Sequence, residues 1–201
     1  MLLSGPNLIE LYEFRPHEGW DFISQEEALL DNLVKFEIIR LPKVYIIGKE
    51  LRYSDSALNE GENRLPAFWN ECDKENIFAP LELQTGHIFD RSPVGVFIDW
   101  YLGDGDFSYI VGLLMKEGAT VPPGYASRAL EETEVALCWV KCKGLEDTRT
   151  APFEPAAQAI KDSGRSFDRM KWCMDLYHPI RSTKQDEDGY VILDCYIPVE
   201  Q

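Results

Sequence analysis

The sequence predicts an α+β fold: two pseudo-symmetric β-α-β-β repeats, an antiparallel sheet with helices packed on one face, and a ligand cleft between the repeats. Three observations predict it. The order strand, helix, hairpin occurs twice, over about residues 36–121 and 122–200, and a doubled order of elements signals a doubled unit. Hairpins within each half make the strand pairing antiparallel. A chain of 201 residues with 45% hydrophobic content is long and apolar enough to bury one substantial core.

Residues 1–35 form an N-terminal extension, with a turn signal at SGP and a Ser24-Gln-Glu-Glu capping pattern before ALLDNLV that predicts a short helix. From Phe36 the run FEIIRLPKVYIIGKELRY is rich in β-branched and aromatic residues and predicts one strand, kinked or bulged at Pro42. ENRLPAFWNECDKEN places Leu65, Phe68, Trp69 and Cys72 at helical spacing, so Trp69 is assigned to the core. PVGVFIDWYL and FSYIVGLLMK follow as two strands joined by GDGD, residue types that tolerate tight-turn backbone angles.

The second half repeats the pattern. YASRALEETEVALCWVKCKG is extended up to Gly144, and PFEPAAQAIKDSGRSFDRMKW is a helical region with Ala156, Ala157 and Ile160 in its apolar stripe. MDLYHP and GYVILDCYIPV are two further strands, separated by the polar RSTKQDEDG.

Charge and cysteine content restrict the function classes. With 20 basic and 35 acidic residues the formal charge is -15, which opposes a polyanion, so no direct nucleic-acid binding and no docking on anionic membrane are expected. No apolar run reaches the about 20 residues that span a bilayer, and the reading is a cytoplasmic protein. Cys72, Cys138, Cys142, Cys173 and Cys195 form an odd set without a CxxC pair, and His17, His87 and His178 are scattered. Neither a disulfide framework nor a metal site is expected, and no cofactor.

Asp175 is the residue that needs an explanation, a carboxylate inside WCMDLYHP. Strand alternation points Asp175 and Tyr177 to one face and Met174 and Leu176 to the other. A wet edge strand would tolerate this arrangement. The chain around it suggests more, because Trp100, Phe107, Tyr109, Trp139, Trp172 and Tyr177 all lie on or beside predicted strands. A dehydrated carboxylate costs several kcal/mol without a partner, a cationic ligand is such a partner, and each well-placed ring adds roughly 0.5–2 kcal/mol. His178 points away from Tyr177 and is assigned a structural role.

Several pieces in order, RLPKVYIIGKE, FSYIVGLLM, VPPGY, WVKCKG, MDLYHP and CYIPV, resemble the GyrI-like small-molecule-binding family, which includes effector-binding domains of AraC-type and multidrug-responsive regulators. They span residues 36–200. The resemblance implies two β-α-β-β units with an aromatic-lined pocket around a buried acid, commonly a Glu two positions before a Tyr. Here those positions hold Asp175 and Tyr177, one methylene shorter, which sets the charge deeper.

The first expectation is therefore a stand-alone sensor or sequestering domain that binds a hydrophobic small molecule, cationic or polar-aromatic. Its ligand-binding residues are Asp175, Tyr177, Tyr109, Phe107, Trp100, Trp139 and Trp172. The alternative, also implied by the resemblance, is a hydrolase of reactive cyclopropane-bearing natural products, with Asp175 as base and Tyr177 or Tyr109 as hydrogen-bond donor. A third option is a scaffold or inhibitor that meets a partner protein through its acidic face.

Overall fold

Runs rich in Val, Ile, Phe and Tyr pair into an antiparallel sheet, in a computed structural model that describes residues 32–54, 64–99, 106–143, 153–167 and 172–200. The elements are β1 (Leu33–Leu41), β2 (Val44–Ser54), α1 (Leu65–Lys74), the short α2 (Ala79–Glu82), β3 (Ile88–Ile98) and β4 (Asp106–Met115). There follow β5 (Ala126–Leu130), β6 (Thr133–Cys142), α3 (Phe153–Asp162), β7 (Ser166–Phe167), β8 (Trp172–Leu176) and β9 (Val191–Glu200). Most of the expected N-terminal extension, with its capping pattern, and nearly all of GDGD lie outside the described residues.

The sheet order is β1-β6-β9-β8-β3-β4-β2-β5, with β7 added against β9. Its centre is symmetric. Reading outward from the β3–β8 pair, one half runs β3-β4-β2 and the other β8-β9-β6, and in chain order α1 follows β2 as α3 follows β6. Val96 faces Met174 where the halves join. The fold is α+β with an antiparallel sheet, as the doubled order of elements implies.

Two segments expected as single strands are each two. Pro42 and Lys43 end β1 before β2, and Glu131 and Glu132 end β5 before β6. Each leading strand then pairs with the opposite half: β1 on β6, β5 on β2. A two-residue connector spans only about 11 Å, so four strand ends converge at one corner. There Lys43 meets Glu131 at 2.8 Å, and Arg40 pairs with Glu132. Proline suits this corner because it cannot donate to a ladder.

Both faces of the sheet are buried. On one face α1 contributes Leu65 and Cys72 and α3 contributes Ala156 and Ile160, packed over Phe97, Phe107, Tyr109, Val111, Cys138 and Leu193. Leu81 of α2 extends the same face over Ile47, Leu113 and Met115. The opposite face joins Leu41, Val44, Ile46, Val96, Ile110, Trp172 and Met174. At about 1.5–3 kcal/mol per buried large aliphatic side chain, these layers supply the main opposition to chain entropy. No helix among the described residues is long and apolar enough to cross a membrane.

Gly48 and Gly112 face each other where β2 and β4 approach closely. A Cβ on Gly112 would stand 2.0 Å from the Ile47 carbonyl oxygen, whereas a Cβ on Gly86 would meet nothing within 4 Å. Urea unfolding should therefore show Gly112→Ala destabilised by about 2–4 kcal/mol and Gly86→Ala shifted by less than about 1 kcal/mol. Equal small effects would contradict this packing.

Candidate functional site

Asp175 lies in the middle of the sheet, on the face that carries the helices, between Gly95 of β3 and Cys195 of β9. α1 bonds to the β4 side through Trp69 and α3 packs on the β6–β9 side, which leaves β8 in the gap between them. Asp175 is half-buried while its neighbours Met174 and Leu176 are buried. Dehydration pushes its carboxyl up to about 7, and a hydrogen bond from the Cys195 thiol opposes that rise in part. The same contact, added to burial, holds the Cys195 thiol well above the usual thiol range. Among the described residues no lysine or arginine pairs with Asp175.

Gly95 makes the site. The Tyr109 hydroxyl occupies the space that a Cβ at residue 95 would need, 1.9 Å from it. Tyr109, paired with Phe97 across β3 and β4, therefore leans over β3 toward the carboxylate. Its hydroxyl accepts a 3.0 Å hydrogen bond from Trp69 Nε1. Burial, then the nearby Tyr177 and Asp175, raise the Tyr109 phenol well above its ordinary value, so it stays a neutral donor.

Rings complete the surroundings. Trp69 meets Tyr177 edge to face at 4.7 Å, and Phe97 lies 4.6 Å from Tyr109 and 5.7 Å from Phe107. Trp69 and Tyr177 are partly exposed while Phe107 and Tyr109 are buried, so the first pair stands at the opening and the second at its base. A carboxylate, a fixed phenol and several ring faces thus lie together, and carboxylates and ring faces are groups that attract organic cations.

The structure brings Asp175, Tyr177, Tyr109 and Phe107 together. It does not bring Trp139 and Trp172 to them. Trp172 packs with Met174 in the apolar layer of the opposite face, as strand alternation from Asp175 requires. Trp139 also points to that face, beside Arg181, whose guanidinium lies 4.3 Å from its ring centre. Trp100 lies outside the described residues. The structure adds Trp69, Phe97, Gly95 and Cys195. For Gly95 a signal existed, a glycine inside a strand marks a close approach; for Trp69 helical spacing could not separate core from opening. His178 Nδ1 accepts from the backbone N–H groups of Ile180 and, at 3.4 Å, Arg181, contacts within the turn that follows β8.

Stability should respond to pH through Asp175. Its carboxyl titrates at about 7 in the folded chain against 3.8 as its ordinary value, so between the two the folded state holds the extra proton and stability falls as pH rises. Asp175→Asn removes that loss. Urea melts should show the variant gaining on the parent from about pH 4 to about pH 7 and then holding a constant lead, on the order of 1–4 kcal/mol. A lead that does not change with pH would contradict the assignment.

No family model matches the sequence, and no curated protein matches it. Solved structures do match. SAV2435 bound to tetraphenylphosphonium is 16% identical with a TM-score of 0.62, over 83% of this chain and 94% of that one. A protein of Staphylococcus aureus MU50 described with bacterial transcription regulation is 16% identical with a TM-score of 0.59, over 83% and 99%. The integron cassette protein VCH_CASS2 from Vibrio cholerae is 9% identical with a TM-score of 0.55, over 84% and 97%. At these identities the likeness establishes a shared fold, and the chain has the fold of these proteins over most of its length.

Proposed function

We propose that this chain is a GyrI-like small-molecule-binding domain whose gap between α1 and α3 takes a hydrophobic organic cation, with Asp175 as counter-ion. It works as a sensor or as a sequestering protein. The observation that carries the reading is Asp175 itself, a dehydrated carboxylate walled by rings and hydrogen-bonded to a thiol where a cation would neutralise it better. SAV2435, which shares the fold, is solved with tetraphenylphosphonium, a lipophilic cation with four aromatic rings. That ligand class fits what Asp175, Tyr177, Tyr109, Trp69 and Phe97 offer.

The energetics favour a soft, weakly hydrated cation. A compact ammonium would have to give up strong hydration, whereas a delocalised or shielded cation sheds little and gains dispersion against Trp69 and Tyr177. The short aspartate suits a bulky ligand with its charge held at the centre, since its carboxylate stays recessed behind the rings.

A second reading, proton-transfer chemistry on a bound electrophile, is favoured by one feature: a carboxyl at about 7 beside a neutral phenol can act as a general base near neutral pH. Mass spectrometry of a cyclopropane-bearing electrophile after incubation separates the two, since a binder returns it unchanged.

Isothermal titration with tetraphenylphosphonium tests the first reading. Binding should be saturable, at least about tenfold weaker in Asp175→Asn, and tighter as pH rises from about 6 to about 8 because the cation competes with the proton. No binding by the parent chain, or equal binding by the variant at every pH, would count decisively against it.

A further inference from the structure

A phenol has two hydrogen-bonding roles, an oxygen that accepts and an O–H that donates, and buried polar groups are normally satisfied. In Tyr109 only one role is filled. Its oxygen accepts from Trp69 Nε1 at 3.0 Å, while among the described residues nothing accepts from its O–H. The side chain is 2% exposed, so bulk water does not take up that proton. A buried donor without an acceptor is costly to keep, and it points to a group that arrives from outside.

The donor is held in place beside the counter-ion. Phe97 braces the Tyr109 ring at 4.6 Å, and the hydroxyl fills the space above Gly95, 1.9 Å from where a Cβ would stand. Gly95 is the cross-strand partner of Asp175. Side-chain positions directly opposite on antiparallel strands stand about 4.5–5.5 Å apart, so the phenol and the carboxyl rise from the sheet as neighbours. Asp175 nevertheless acts on Tyr109 through its charge alone, and takes its own hydrogen bond from the Cys195 thiol. A donor and an acceptor of one gap thus stand side by side without satisfying each other.

We propose that the Asp175 gap selects aromatic cations that also carry a carbonyl oxygen, an aryl ketone a few ångströms from the positive centre, with Tyr109 as the specificity-determining donor. Tyr109 thereby adds a second point of attachment to the counter-ion reading above, on which this role rests. The positive end of the ligand lies against Asp175, its carbonyl oxygen takes the Tyr109 O–H, and the rings of Trp69 and Tyr177 cover its aromatic body. The bond from Trp69 polarises the phenol and makes it a better donor. A ligand without the oxygen displaces water and leaves the O–H unmet, which is how a site built on a hydroxyl rejects an analogue that lacks the complementary atom. Tetraphenylphosphonium has no oxygen, so it engages Asp175 and the ring wall but not the Tyr109 donor.

Two probes that differ in one bridging group test this role: para-benzoyl-N-methylpyridinium and para-benzyl-N-methylpyridinium, the same rings and charge joined by a carbonyl or by a methylene. Isothermal titration at about pH 8, where Asp175 is ionised, should show the parent chain binding the benzoyl probe at least about fivefold more tightly, and that preference should fall below about twofold in Tyr109→Phe. In the parent chain the carbonyl stretch of the bound benzoyl probe should lie at lower frequency than in an apolar solvent, a readout that needs no variant. Equal affinities in the parent chain, an unshifted carbonyl band, or a preference that persists in Tyr109→Phe would overturn the role of Tyr109 and leave the counter-ion reading standing. If neither probe binds, the role of Tyr109 falls as well, and the tetraphenylphosphonium titration decides whether the counter-ion reading falls with it.

Discussion

Gly95, Asp175 and Cys195 stand side by side on β3, β8 and β9, and the missing side chain of Gly95 decides what the other two can do. With any larger residue there, the Tyr109 hydroxyl could not lie over β3, its bond to Trp69 would break, and the ring wall around the carboxylate would open. Asp175 is then left dehydrated with a thiol as its described hydrogen-bond donor. That is an unfavourable state for a carboxylate near neutral pH. A folded chain that keeps such a group holds stability in reserve for whatever neutralises it.

The architecture explains why that reserve is tolerated. The two halves meet strand to strand at Val96 and Met174, and each lends its leading strand to the other, so the sheet is tied at its centre and at both ends. Apolar layers on both faces carry the stability. Within that frame one costly residue in the gap between the helices does not threaten folding, and the exposed ion pairs at the corner add little to the total.

Much of this was legible in the sequence. The doubled order of elements gave the α+β sheet, and strand alternation alone put Asp175 and Tyr177 on one face. The same alternation excludes Trp172, three residues before Asp175, and it places Trp139 opposite Cys138. What could not be read was long-range. Nothing local in Pro42-Lys43 or Glu131-Glu132 says that β1 and β5 cross to the other half, because strand partners are chosen by the whole sheet. Trp69 has the spacing of a core residue, and only the position of α1 over β4 turns its indole toward Tyr109. Gly95 was readable as a close approach, but not as an approach by Tyr109.

The most direct measurement is a ¹³C-carboxyl NMR titration of Asp175 in the free chain and with saturating tetraphenylphosphonium. The account predicts a midpoint near 7 in the free chain and a clear downward displacement when the cation is bound. A free-chain midpoint at the ordinary carboxyl value, unmoved by the cation, would contradict it.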